Sequence, residues 1–82
     1  MDDEVYRTVV AVLVRTAGIP VERLGPDVRL DDLGLDSLAT LEVGLALQKE
    51  IGADVDDGDV AGARTVLDLV GIARRAVLSS GS

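Results

Sequence analysis

The sequence predicts an all-α fold: a small bundle of three main helices plus a short third helix, with a long loop between helices one and two. Three observations lead there. Apolar residues recur at helical spacing in three separate stretches, each stretch is bounded by residues that start or stop helices, and the only Val-rich run has no second strand to pair with. Eighty-two residues suffice for one core and not two. No repeat, low-complexity tract or linker divides them, so residues 1–82 form a single domain, with 79–82 expected as a flexible tail.

Helix one is expected from Asp3 to about Ala17, "DEVYRTVVAVLVRTA", where Val5, Val9, Val12 and Leu13 share one side, acids open the first turn and Gly18 closes the last. The run "VVAVLV" would also suit a buried strand, but Arg7 and Arg15 recur on the polar side of a helix. Residues 18 to 36, "GIPVERLGPDVRLDDLGLD", hold two prolines, three glycines and isolated apolar residues, the marks of a connection. Loops of that length are uncommon unless functional or pinned, and Ile19, Val21, Leu24, Val28, Leu30 and Leu33 are the candidate pins.

Helix two runs from Ser37 to about Ile51 and stops at Gly52, a residue suited to the left-handed turn after a helix. "ADVDDGDVAGA" offers at most one short, irregular turn. The last helix, "TVLDLVGIARRAVL", opens with Thr65 and Asp68 at capping-box spacing, repeats Val66, Leu69, Val70, Ala73 and Val77, and carries Arg74 and Arg75 towards its end.

Composition excludes several function classes. The hydrophobic fraction is 48%, with one Tyr and neither Phe nor Trp, so the core is aliphatic. With no Cys and no His, disulfides, thiolate or imidazole nucleophiles and the usual zinc sites are ruled out. A net charge of −7 and a pI near 4.2 disfavour nucleic acid and anionic membranes and suit partners with basic patches. Met1 is followed by Asp2, Asp3 and Glu4, unlike a signal peptide, and no apolar run could span a bilayer. A cytoplasmic monomer is the resulting expectation. Calcium binding by "DVDDGD" fails the EF-hand pattern, since its glycine comes one place early and Thr65 stands where Glu is needed.

At 100° per residue, helix two carries two apolar stripes: Val43, Leu47 and Ile51 on one side, Leu38, Leu41 and Leu45 on the other. Burial all round would explain both. An exposed patch on the Leu38 side, flanked by Glu42, Gln48 and Lys49, is the alternative; Glu50 falls on the Val43 side and needs solvent or a partner.

Ser37 sits where an N-cap is expected, behind Asp36. A hydroxyl at a helix N-terminus also suits an attached phosphate, because free N–H groups and the helix dipole favour negative charge there. No His is present to activate it, so modification would be the work of another enzyme, and catalytic residues in this chain are expected to be none.

"LGLDSLATLEVGLALQKEIGADV" resembles the acyl carrier proteins, whose core pattern is Leu-Gly-x-Asp-Ser-Leu with a Glu five residues after the serine; Leu33, Gly34, Asp36, Ser37, Leu38 and Glu42 match. The resemblance extends from helix one to "ARTVLDLV", and Met1 and the length point to a free-standing member. It implies that Ser37 carries a 4′-phosphopantetheine arm derived from coenzyme A, whose thiol holds acyl intermediates as thioesters. It further implies partner docking by Asp36, Leu38, Leu41, Glu42 and Leu45, and a core or acyl-chain lining of Val43, Leu47, Ile51, Val66, Leu69 and Val70. The implied partners are a phosphopantetheinyl transferase, a ketosynthase, an acyltransferase or acyl-activating ligase, and tailoring enzymes.

Fatty-acid members commonly carry an acidic run and a Phe where this chain has Gln48, Lys49, Glu50 and Ile51, and an acid where it has Ala39. The resemblance therefore leans towards polyketide or related specialised biosynthesis. A fatty-acid carrier or a peptidyl or aminoacyl carrier shares the arm and fold; Asp36 and the acidic balance favour an acyl cargo. From a different class, an unmodified helical interaction module would use Ser37 as a cap only.

Overall fold

The computed structural model describes residues 4–80. Four helices follow in order: α1 Glu4–Ala17, α2 Ser37–Ile51, α3 Asp57–Ala61 and α4 Val66–Ser80. Their bounds agree with the sequence reading within a residue for the three long helices, except at the C-terminal end of α4, which runs two residues further. The segment expected to hold an irregular turn forms the five-residue α3. Helix α4 also continues through Ser79 and Ser80, two positions of the expected tail, since nothing before Gly81 breaks a helix. Asp3 and the rest of the expected tail lie outside the described residues.

The helices enclose one aliphatic core. Val9, Val12 and Leu13 of α1 are fully buried, as are Leu47 of α2, Val60 of α3, and Val66, Leu69 and Ala73 of α4; Val43 and Val70 are nearly so. Because α3 contributes Val60 as its buried residue, its seat is narrow: Val60 methyls stand 3.0 and 3.1 Å from where a Cβ on Gly44 would be. The glycine lets α2 and α3 approach closely. Helix α2 ends as expected, with Gly52 at φ 70° donating its N–H to the Gln48 carbonyl at 3.0 Å.

Residues 18–36 form an ordered connection with two short 3₁₀ turns, Val21–Arg23 and Asp31–Leu33. Ile19 and Leu30 are buried pins, while Leu24, Val28 and Leu33 pack partly against the core. Val21 is a correction, being 56% exposed on the first 3₁₀ turn. Leu35, at the loop's far end, is buried in the core.

What holds this loop is backbone pairing with the start of α4, which no side-chain pattern announces. Leu30 N–H donates to the Arg64 carbonyl at 2.9 Å, Val66 N–H to Val28 at 3.0 Å, and Leu67 N–H to Pro26 at 3.0 Å. Arg29 and Thr65 form an isolated antiparallel bridge. The α4 side is fixed by the predicted capping box: Thr65 Oγ1 accepts from Asp68 N–H at 3.1 Å, and Asp68 Oδ2 accepts from the N–H groups of Arg64 and Thr65 at 2.9 and 3.2 Å.

Those bonds stabilise the charged form of Asp68. The Arg64 N–H is the largest influence, and together with Thr65 it holds the carboxyl below its ordinary value of 3.8 despite some opposing desolvation. A carboxyl depressed in the folded state contributes stability that is present above its unfolded pKa and lost as pH falls through the folded one. Asp68→Ala should therefore lower the melting temperature near neutral pH, with the gap to the parent chain narrowing as acid takes the pH below 3.8. A gap that stays constant through that range would show that the charge of Asp68 does not hold this end of α4.

Candidate functional site

The loop delivers α2 through a sharp local turn. Gly34, at φ 80°, closes the second 3₁₀ turn by donating to the Asp31 carbonyl at 3.0 Å, and Leu35 N–H reaches back to Leu30 at 3.2 Å. Leu35 then enters the core and Asp36 adopts extended backbone. Asp36 is the N-cap: its Oδ1 accepts from Ala39 N–H at 2.8 Å, and its carbonyl accepts from the N–H and the hydroxyl of Thr40, both at 2.9 Å.

This corrects the capping role expected of Ser37. The carboxylate, one residue earlier, occupies the cap, and Ser37 becomes the first helical residue, exposed at the helix mouth. With Ala39 and Thr40 satisfied by Asp36, the N–H groups of Ser37 and Leu38 carry no hydrogen bond among the described residues. The Ser37 hydroxyl thus stands at the positive end of a fifteen-residue helix, open to solvent and to an attached phosphate.

Beyond Ser37 the two stripes of α2 separate as the spacing predicts. Leu38 and Leu45 are 67% and 57% exposed, and Glu42 beside them is exposed. Leu41 is half-buried, its body against the edge of the core. On the opposite side Thr40, Val43, Gly44 and Leu47 are buried, and Ile51 is half-buried. Buried Thr40, whose hydroxyl back-bonds to the cap, was not singled out by the sequence pattern. Val66, Leu69 and Val70 of α4 belong with this inner side to the same buried core. Ile51 lines a surface groove of about 310 Å³ with Val5, Thr8 and Val77.

The expected polar rim is only partly a rim. Lys49 is exposed, but Gln48 is half-buried and its Oε1 accepts from Val55 N–H at 3.0 Å, tying the end of α2 to the loop before α3. Glu50 finds its partner in Arg15 of α1, at 2.7 Å. The acids near α3 also have local tasks: Asp56 caps α3 by accepting from Asp59 N–H at 3.0 Å, and Asp59 faces Arg75 at 3.7 Å. Among the described residues no cluster of acids could hold a metal ion, and no helix is long and apolar enough to cross a membrane.

Comparison with known proteins bears on this geometry. The family model for the phosphopantetheine attachment site matches residues 7–72. An acyl carrier protein of Rickettsia bellii is 33% identical over 69 residues, 83% of this chain and 85% of that protein. One from Saccharopolyspora erythraea is 36% identical over 64 residues, covering 77% of this chain and 67% of its own. The solution structure of the 3,7-dioxo-octyl actinorhodin acyl carrier protein from Streptomyces coelicolor superposes with a TM-score of 0.71 at 26% identity, over 95% of this chain and 91% of that one.

The division of labour at the head of α2 can be read by chemical denaturation. Asp36→Ala should cost about 1 kcal/mol as the cap is lost. Ser37→Ala and Leu45→Glu, both at exposed positions, should each stay within about 0.5 kcal/mol of the parent. A loss at Ser37 as large as at Asp36 would return the capping role to the serine.

Proposed function

Since the chain belongs to the acyl carrier proteins, we propose that Ser37 is the residue that receives the 4′-phosphopantetheine arm and that the outer face of α2 is where partner enzymes dock. Members of this family are carriers rather than catalysts, and the arm is covalent. When attached, the arm supplies a terminal thiol that holds an acyl group as a thioester.

The single observation that carries the assignment is the exposure of Ser37 at the open N-terminus of α2, with Asp36 taking over the cap. The serine is thereby spared a structural task. Its hydroxyl can accept a phosphodiester without breaking a bond that the fold uses, and the adjacent N–H groups of Ser37 and Leu38 meet the new charge. With no His in the chain to activate Ser37, installation falls to a phosphopantetheinyl transferase using coenzyme A and magnesium.

Leu38, Leu41 and Leu45 then present an apolar strip beside Glu42 and Asp36 to visiting enzymes, whose basic patches complement the charge of −7. A ketosynthase, an acyltransferase or acyl-activating ligase, and tailoring enzymes are the visitors this reading calls for. Polyketide biosynthesis in the cytoplasm is the favoured setting, supported by the likeness to a carrier from the actinorhodin system and by the weakly acidic end of α2. Fatty-acid synthesis is the alternative, and relatives named as meromycolate extension acyl carrier proteins stand nearer to it.

Intact mass before and after incubation with a broad-specificity phosphopantetheinyl transferase, coenzyme A and magnesium tests the attachment site. One arm per chain is expected, with none on folded Ser37→Ala. No addition to an initially unmodified, folded parent chain would leave an unmodified interaction module as the better account, and addition to the Ser37→Ala chain would move the site elsewhere.

A further inference from the structure

The start of α4 grips the long loop at Pro26, Val28 and Leu30, all ahead of the Asp31–Leu33 turn that leads into Asp36 and Ser37. The turn's own backbone bonds use the carbonyls of Arg29, Leu30 and Asp31. The carbonyl of exposed Asp32 has a different partner: it accepts from Nη2 of Arg23 at 3.0 Å, nine positions back along the chain. At the other end of the same peptide unit the Leu33 N–H donates to the Leu30 carbonyl at 3.0 Å, so both polar groups of that unit are held. The Leu30 carbonyl also receives the Leu35 N–H at 3.2 Å, which carries the network to within two residues of Ser37.

Arg23 makes this bond from a fixed base. It ends the Val21–Arg23 turn, in which Arg23 N–H donates to Pro20 at 3.0 Å and Leu24 N–H to Val21 at 3.1 Å. Buried Ile19 and half-buried Leu24 anchor that turn from both ends. A charged donor makes a stronger bond than a neutral one, and here it joins the loop's two 3₁₀ turns directly. We propose that Arg23 is a positioning residue for the modification of Ser37: by holding the Asp32 carbonyl, at a point the α4 contacts do not bond, it fixes where the Ser37 hydroxyl stands.

This rests on the reading of Ser37 as the attachment site. In that reaction the Ser37 oxygen forms a bond to the β-phosphorus of coenzyme A while the bond from that phosphorus to the bridging oxygen breaks. The adenosine bisphosphate half leaves, and the serine proton passes to a base of the transferase. Such a displacement is sensitive to small errors in the place of the attacking oxygen. Between Asp32 and Ser37 lies Gly34, whose backbone has the freedom of a residue without a Cβ, so looseness at Asp32 is passed on towards the serine.

Two measurements on Arg23→Ala and Arg23→Lys test the proposal: steady-state kinetics of arm transfer by a broad-specificity phosphopantetheinyl transferase with coenzyme A and magnesium, and ¹⁵N amide spectra of the unmodified chain with no partner present. In Arg23→Ala, kcat should fall by between about threefold and about tenfold, with KM for the chain within about twofold of the parent, because the outer face of α2 is untouched. The Ser37 and Leu38 amides should shift while those of Leu47 and Leu69 in the core stay in place, and Arg23→Lys, which keeps a charged donor, should recover most of the lost kcat. An unchanged kcat in Arg23→Ala would overturn the proposal. A loss in kcat or KM with the Ser37 and Leu38 amides unmoved would overturn it too, since the guanidinium would then be touching the transferase and not acting through the turn. A parent chain that takes up no arm would defeat the attachment reading, and this proposal with it; equal rates in parent and variant would defeat this proposal alone.

Discussion

The backbone seam between the long loop and the start of α4 is the constraint on which the rest depends. A connection of nineteen positions, residues 18–36, would on entropy alone leave the head of α2 undefined. The bonds from Leu30, Val66 and Leu67 remove that freedom, and the Thr65–Asp68 capping box holds the other side of the seam still. Leu30 and Leu35 then bury on either side of the Asp31–Leu33 turn. Asp36 and Ser37 consequently leave the core at a fixed point and in a fixed order.

From that point the two-sided chemistry of α2 follows. A bundle with one core can bury only one side of this helix, and Val43, Gly44 and Leu47 take that position because Val60 of α3 closes onto the glycine. Leu38 and Leu45 are left outside, and under the proposed function they are the apolar part of the docking strip. The proposed docking role would suit such a strip, since a short apolar patch beside Glu42 can be recognised without a large permanent interface.

Much of this was legible in the sequence because it rests on periodicity and on local chemistry. The 3.6-residue spacing placed α1, α2 and α4 and separated the stripes of α2, while Gly52 and the Thr65–Asp68 pair marked ends whose bonds are local. Features joined across distance were hidden. Arg15 reaches Glu50 from 35 positions away, the seam consists of main-chain groups that every residue possesses, and Gln48 serves Val55 through a loop whose path periodicity does not describe. Asp36 and Ser37 show a subtler limit. Both are good caps, and the choice between them was decided by where Leu35 must bury.

The central claim is that α2 turns one face to the core and offers the other, beginning at Ser37, to partner enzymes. Backbone amide NMR of the ¹⁵N-labelled chain during titration with a ketosynthase tests this most directly. Perturbation concentrated at Leu38, Leu41, Glu42 and Leu45, with the amides of α1 little changed, is the predicted result. Perturbation centred on α1 or α4, with the outer face of α2 silent, would contradict it.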